Sequence, residues 1–429
     1  MSKKLVTAAI VGAGHRAVAY ASYALQHPDR LRITAIADPN EVRRRREGDR
    51  FSIPESMRFQ SFEELAARPG LADAVINGTM DRLHYSSSLP LLEAGYHLLL
   101  EKPIASTEAE VRGLIDAAQR HKRIVMICHV LRYAPFYRRI KDLLDRGTIG
   151  SIIALTSTES INYHHMTTPF VRGRWRQHST NPILLSKCCH DLDIIAWLMS
   201  GVPVRRVASF GSLTQFRPEN APPGSAMRCL DGCQIEATCI HSARTNYITQ
   251  GLWGSYVWES IEHIENPTIE QKLESLRSNN PYGRCVWHCD NDVADHQTVI
   301  IEFANGATAT HNLFGGGARI ARSIHITGTL GEIQGDLETD AIEVLKPRVT
   351  SGADHTRETI NVAVDRAGEM LGHGGGDAGL IEDFVAILAG HPPSRSVTHI
   401  EDSLTGHLIA FAADTAMLEG RVVSLNADE

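Results

Sequence analysis

Six residues near the start of the chain have the spacing of a phosphate cradle: Gly12-Ala13-Gly14-His15-Arg16-Ala17. An apolar run precedes them and a helical pattern follows, as the G-x-G-x-x-A dinucleotide fingerprint requires. Gly12 allows the tight turn, Gly14 lets the main chain approach a pyrophosphate, and Ala17 is small enough for the helix to pack on the strand. His15 and Arg16 open that helix, whose free N–H groups and positive end suit phosphate. A glycine turn without a ligand would share this spacing. Asp38, in Ile36-Ala37-Asp38-Pro39-Asn40, favours the cofactor reading, because it ends the next predicted strand. A carboxylate there accepts the ribose hydroxyls of an adenosine half and repels a 2′-phosphate, so NAD is expected over NADP. Arg43 is near enough in sequence to leave NADP open.

A second set of residues could move protons. Lys102, in Glu101-Lys102-Pro103, follows a predicted parallel strand, at the end where open α/β sheets bind ligands. Burial beside a cationic nicotinamide would lower its pKa from ~10.4 toward ~7–8. A surface lysine after a strand is the plain alternative. His190 lies in Ser186-Lys187-Cys188-Cys189-His190-Asp191-Leu192-Asp193. Lys187 stands one turn before it and can share its face, or can simply pair with Asp191. Asp193 could orient the imidazole. When a hydride leaves a carbon, a base must take the hydroxyl proton. Lys102 and His190 can divide that task, with Lys187 as an extra cation.

The fingerprint, Thr79-Met80-Asp81-Arg82-Leu83-His84 and Glu101-Lys102-Pro103 follow in an order that resembles the Gfo/Idh/MocA family of sugar-type oxidoreductases. The resemblance covers the N-terminal region closely and continues more loosely to the C-terminus. It implies a nicotinamide held between a Rossmann domain and a C-terminal open sheet. Lys102 matches the lysine beside the reacting carbinol, and Pro103 matches a proline that is often cis or kinked. Thr79 and His84 match residues along the nicotinamide, and Glu101 one that touches the cofactor ribose. Typical members carry an Asp four residues before the histidine, where this chain has Ser186. The usual Asp–His–Lys arrangement is therefore altered.

The elements that must position these groups follow from periodicity. Leu5–Val11, Arg32–Ala37, Asp73–Asn77, His97–Leu100 and Ile124–Cys128 read as strands. Amphipathic stretches such as Leu83–Ala94 and Thr107–His121 separate them. This alternation predicts a doubly wound parallel sheet, an α/β Rossmann domain over 1–130. After Tyr133 the pattern changes. A helix is expected at Pro135–Arg146, a long strand at Ser151–Ser160 and a helix at Lys187–Met199. Strands follow at Val299–Phe303, Ala307–Leu313 and Ser323–Thr327, with an Asn305-Gly306 turn. Two helical patterns, Asp377–Leu388 and Glu401–Leu418, close the chain. Residues 131–429 thus read as an α+β substrate and oligomerisation domain with a large, open, mostly antiparallel sheet. It carries a polar insertion at about 215–295 and C-terminal helices over 377–418.

Candidate substrate contacts lie in Phe170-Val171-Arg172-Gly173-Arg174-Trp175-Arg176. Arginine forks bind carboxylates and vicinal hydroxyls, and tryptophan stacks on sugar faces. Arg172, Arg174 and Trp175 therefore suggest an anionic or heavily hydroxylated sugar, unless the segment is a basic surface loop. His129 and Tyr133 sit where the chain passes between domains, so both are expected in the cleft, His129 at the cofactor and Tyr133 among the catalytic groups. His373 opens His373-Gly374-Gly375-Gly376-Asp377, either facing ligand or within a capping turn. Cys229, Cys233, Cys239, Cys285 and Cys289 have spacings that match no common zinc signature, so free thiols are expected and no metal is assigned.

The 43 Lys and Arg against 50 Asp and Glu give a net charge of −7, with no long basic stripe, which argues against nucleic acid. No apolar window reaches ~18 residues, so no membrane span is expected. The expected setting is cytoplasmic, with a small carbohydrate as partner and a homodimer or homotetramer as assembly. The leading reading is NAD-dependent hydride exchange at a secondary hydroxyl of a sugar, cyclitol or glycoside. The alternative is an NAD-dependent glycosidase working by transient C3 oxidation, elimination, water addition and re-reduction. A non-catalytic NAD sensor would be expected to lack Lys102, which is present.

Overall fold

The five apolar runs of the N-terminal region form parallel strands in the computed structural model, which describes residues 4–350, 353–362 and 372–425. They are β1 (Val6–Val11), β2 (Leu31–Ala37), β4 (Ala74–Asn77), β5 (His97–Leu100) and β6 (Val125–Ile127), with a two-residue edge strand β3 (Arg58–Phe59). The order is β3-β2-β1-β4-β5-β6. Helices cover both faces, so the central strands are apolar on both sides and read as continuous runs. The order reverses between β1 and β4, and the crevice beyond their carboxyl ends is where ligands bind in such sheets. Gly12 follows β1 there, and Lys102 lies just beyond β5.

The second sheet has nine strands: β7 (Ile152–Asn162), β8 (Val204–Ser212), β9 (His296–Phe303), β10 (Thr308–Gly317), β11 (Ala321–Gly328), β12 (Gly331–Asp336), β13 (Ala341–Thr350), β14 (Ala353–Asn361) and β15 (Val423–Ser424). Their order is β14-β13-β12-β11-β7-β10-β9-β8-β15. β7 and β10 pair in parallel; the other neighbours are antiparallel. The β9–β10 turn is the expected Asn305-Gly306, with Gly306 at φ +85° and the Asn305 side chain accepting from the Ala307 N–H. Between β8 and β9 the chain makes short helical turns and one longer helix, Ile269–Arg277, started by a Thr268 capping box. A separate small core of Cys229, Ala243, Tyr247, Val257, Leu276 and Tyr282 lies inside this insertion.

The C-terminal segment departs from the expected partition. The helix Gly376–Leu388 places Leu380, Ile381, Phe384 and Val385 in the core of the Rossmann domain, against Val6, Ile10 and Tyr20. Its apolar face fits the first domain, although the chain reaches it after the whole second sheet. Residues 397–400 then run beside β6, with the Ile127 N–H donating to the Thr398 carbonyl at 2.8 Å. All eight cysteines are free, and among the described residues no helix is long and apolar enough to cross a membrane.

Arg132 holds the junction. Its guanidinium donates to both oxygens of Asp193, at 2.7 and 2.6 Å, and to the carbonyls of Val397 and Asp402. One buried fork thus joins the end of the Rossmann domain, the helix Cys189–Leu198 and the C-terminal segment. Removing one partner of such a pair leaves a buried, uncompensated charge. Arg132→Leu should therefore cost about 3–5 kcal/mol in denaturant unfolding; a loss below about 1 kcal/mol would contradict this role.

Candidate active site

The glycine turn after β1 is built as a cradle. Gly12 has φ +75°, and a Cβ there would lie 2.7 Å from the Gly78 carbonyl oxygen. A Cβ on Gly78 would lie 2.7 Å from that of Ala17, so this crossing requires small residues. A Cβ on Gly14 would meet nothing within 4 Å, because Gly14 faces open space at the edge of a cleft of about 480 Å³. The helix His15–Ala21 begins with no side-chain cap, leaving its first N–H groups free for an anion. Asp38 is buried and accepts from the N–H groups of Ala13 and Asn40, at 2.6 and 2.8 Å. Burial pushes its carboxyl up, while those N–H donors and Arg43 act against the rise. Arg43 pairs with Glu262 at 2.9 Å and with Glu259 at 3.4 Å, both from the insertion. These residues suit an adenosine diphosphate half that carries ribose hydroxyls.

Arg16 ties the cradle to its surroundings. It reaches Glu101 at 3.2 Å and the carboxylate of Asp377, and so links the strand-end Glu101 to the glycine turn that holds His373. Glu101 also accepts the Tyr20 hydroxyl and the Lys102 N–H. The Lys102–Pro103 peptide is cis. His84 is fully buried, its ring nitrogens 2.6 Å from the Pro103 carbonyl oxygen and 3.1 Å from that of Thr79. Thr79 is held in turn by Asn77. Thr79 and His84 thus lie along the cleft wall, where His84 braces the lysine-bearing turn.

Lys102, Lys187, His190 and His373 line the same cleft. Lys102 Nζ donates to the main-chain carbonyl of Ser186 at 2.8 Å, so the residue in the usual acid position contributes its backbone. The expected fall in the lysine's pKa depends on a cationic nicotinamide beside it; the protein groups alone shift it the other way. Burial disfavours the ammonium, but Cys189, Glu101, Asp81 and Tyr256 outweigh it and the pKa is raised. His190 moves the other way. Burial, then Lys102, His373, His129 and Arg322, hold its imidazole well below the ordinary value of 6.5. His190 Nδ1 is buried with no hydrogen-bond partner.

Several expected contacts resolve differently. Lys187 pairs with buried Glu159 at 2.7 Å, whereas Asp191 pairs with Arg322, also at 2.7 Å. Asp193 does not orient His190; it serves Arg132 and His129, the latter at 2.8 Å. His129 is fully buried beneath His190, its ring 5.9 Å from that of His190, and it does not line the cleft. Tyr133 is also outside the cleft. Its hydroxyl donates to Asp383 at 2.8 Å, and burial pushes its pKa far up, so it is not among the reacting groups. Both residues lie at the interdomain crossing, but their side chains turn into the core. Arg172 is 0% exposed and faces the insertion, so it cannot touch a substrate in the cleft. Arg174 does reach the cleft, where it pairs with Glu259.

The insertion supplies cleft residues that motif spacing did not single out: Trp253, Ser255, Tyr256 and Glu259. With Trp175, Phe170 and His165 they make a continuous aromatic wall. Ring centroids are 6.1 Å apart for Trp175–Tyr256, 5.7 Å for Trp253–Tyr256 and 4.9 Å for His165–Trp253. Trp175 is held by Asp81, which accepts its indole N–H at 2.8 Å. The available signal was the aromatic density of Trp253-Gly254-Ser255-Tyr256-Val257-Trp258 within an otherwise polar segment.

Comparison with known proteins follows this geometry. Residues 6–129 match the family model described as an oxidoreductase family with an NAD-binding Rossmann fold. Residues 141–425 match the C-terminal alpha/beta domain of the same family. The chain is 23% identical to YteT of Bacillus subtilis (strain 168) over 333 residues, 76% of this chain and 74% of that protein. It is 30% identical to a 1,5-anhydro-D-fructose reductase of Ensifer adhaerens over 151 residues, 34% of this chain and 44% of the reductase. An oxidoreductase from Agrobacterium radiobacter, solved with NAD+, L-tartaric acid and magnesium, shares the fold with a TM-score of 0.67, at 16% identity over 98% of both chains. The two family-model matches together span nearly all of the chain, which belongs to the Gfo/Idh/MocA oxidoreductases, with an NAD-binding Rossmann domain followed by the family's C-terminal α/β domain.

Proposed function

We propose that the protein exchanges a hydride between NAD and a secondary hydroxyl of a hydroxylated, uncharged sugar, cyclitol or glycoside. The observation that carries this reading is Lys102 and His190 lining one cleft that Trp175, Trp253 and Tyr256 also wall. NAD, when bound, supplies the hydride acceptor or donor. In the oxidising direction neutral His190 takes the hydroxyl proton, and the Lys102 ammonium stabilises the alkoxide as it forms. In the reducing direction Lys102 donates the hydrogen bond that polarises the carbonyl. Lys187, anchored by Glu159, adds positive potential on the same side. The aromatic wall supports a sugar ring as substrate, since aromatic faces stack on its C–H faces. The anhydrosugar activity named for the Ensifer relative supports the same class.

An anionic sugar is less favoured than the basic loop suggested. Arg172 is buried, Arg174 pairs with Glu259 and Arg176 pairs with Asp290. Arg43 is spent on Glu262 and Glu259, which supports NAD over a 2′-phosphorylated cofactor. A homodimer or homotetramer in the cytoplasm remains our reading. The open face of the second sheet exposes Phe210, Ile300 and Phe314, an apolar surface suited to a second copy.

His165 and His373, both held below the ordinary imidazole range mainly by burial, add bases to the cleft. They favour a second, redox-neutral reading as a glycosidase. Incubation with NAD and a panel of free sugars and aryl glycosides separates the two. Nicotinamide reduction in step with turnover supports oxidation; aglycone release without net NADH overturns it in favour of hydrolysis.

The division of roles sets a pH profile. His190 must be unprotonated, and its folded pKa is lowered, so kcat for oxidation should stay flat from neutral pH down to 6.5 and fall only below that. A profile rising through about 7–8 would instead make Lys102 the base. Lys102→Met should lower kcat by about 10²–10⁴-fold with NAD affinity retained, read by fluorescence titration. Trp253→Ala should raise KM for the sugar roughly 3- to 10-fold with little change in kcat. An unchanged KM would remove the aromatic wall from substrate binding.

A further inference from the structure

Arg172 is a buried cation without an anion. Its guanidinium donates to the carbonyls of Arg284 and His241, each at 2.7 Å, to the Tyr247 hydroxyl at 3.1 Å and to Cys229 Sγ at 3.4 Å. Among the described residues no carboxylate pairs with it, although the side chain is completely buried. Buried charges in folded proteins are normally paired. The electrostatics of this region therefore lack a negative partner on the side of Cys229.

The same place holds a small cavity of about 10 Å³, lined by Cys229, Cys233, Cys239 and Cys285. His241, also on its wall, is nearly fully buried, and its Nδ1 has no hydrogen-bond partner. The main chain is arranged around these sulfurs. The Cys229 N–H donates to the Gly283 carbonyl at 3.0 Å, and the Cys285 N–H donates to that of Met227 at 2.9 Å. This brings two segments more than fifty residues apart in sequence side by side at their cysteines. Between Cys229 and Cys233 the chain turns through Gly232, at φ +71°. No disulfide joins any of them.

We propose that Cys229, Cys233, Cys239 and Cys285 hold a thiolate-bound metal centre, a zinc ion or an iron–sulfur cluster, whose negative charge is the missing partner of Arg172. Soft thiolates select these two occupants. Four thiolates on a divalent ion, or on a cluster core of charge +2, leave a net −2 beside the guanidinium. Each thiol that binds releases its proton to solvent. Among the described residues no three of the four sulfurs lie within 4.8 Å of one another. Binding a metal would therefore require these sulfurs to close on it. Cys289 lies near the group but not on the cavity wall, its thiol donating to the Cys285 carbonyl at 3.2 Å. It is assigned no ligand role.

The full chain should be expressed with zinc and iron supplied, then purified anaerobically without chelator. Metal and acid-labile sulfide are measured alongside the visible spectrum. About one zinc ion per chain, or iron with matching sulfide and a broad visible absorption, supports the proposal and names the occupant. Less than about 0.1 metal per chain, after attempted reconstitution with each, overturns it. The Cys229→Ser and Cys233→Ser changes together should abolish the metal, while Cys289→Ser should keep it. Equal metal in all three proteins overturns the assignment. If the double variant does not fold, chelation of the unaltered chain decides. Metal loss should expose protected thiols to a thiol reagent, and unchanged reactivity would contradict the site.

Discussion

The helix Cys189–Leu198 is buried on nearly every side, yet it carries two carboxylates and an imidazole within five residues. The site depends on how that is made tolerable. Asp193 is met by Arg132 from the end of the Rossmann domain, and Asp191 by Arg322 from β11 in the second sheet. Arg322 also reaches Glu159, which in turn holds Lys187. Glu159, Asp191, Arg322 and Lys187 thus form a neutral buried set. Such networks gain little net stability, because desolvation offsets the Coulombic attraction. Their effect here is positional. His190 lies in sequence between Lys187, held by Glu159 of the second sheet, and Asp193, held by Arg132 from the Rossmann end, so its backbone is anchored on both sides.

That fixed placement has an electrostatic result. In isolation imidazole and ammonium already titrate about four units apart. In this cleft they move further apart. Burial first, and then the Lys102 cation, push His190 toward its neutral form, while Cys189, Glu101, Asp81 and Tyr256 raise the Lys102 pKa against the burial that opposes them. Environments that push two titratable groups apart in this way are what a division into proton acceptor and cation requires. Ser186 contributes a carbonyl that aims the ammonium, and a backbone atom performs that task whatever the side chain.

The Rossmann half was readable because its physics is local. Strands buried on both faces appear as apolar runs, and the cradle needs glycine where φ is positive and where Gly78 crosses Ala17. The second sheet was readable only in outline. β12, β13 and β14 lie toward one edge, alternate with exposed polar residues and are broken by turns, so their apolar signal is weak. The site shows the same division. Lys102 follows from its strand, and Glu101 and Thr79 came only through the family resemblance of their motifs, while the directions of His129 and Tyr133 do not follow from adjacency to the domain crossing. A short 3-10 turn, Val130–Tyr133, rotates Tyr133 into the core toward Asp383. The aromatic wall was least legible, because Trp253 and Tyr256 reach the cleft only through the tertiary path of the insertion.

That path raises the question of what keeps the insertion rigid. It supplies Trp253 and Tyr256 to the cleft and Glu262 to the cofactor side, yet its own apolar cluster has only six fully buried residues, with five partly buried ones packed on them. Chain segments with so little core normally need covalent or metal staples to hold a single conformation. Arg172 already acts as a hub, joining the segment Met166–Arg172 to two separate stretches of the insertion by its hydrogen bonds. Its charge is met there by two carbonyls, a phenol oxygen and a thiol, with no carboxylate partner among the described residues. A metal centre on the four thiols would meet both needs, neutralising the hub and tying residues 229–239 to residue 285. The shape of the substrate wall would then be set by a group that never touches the substrate.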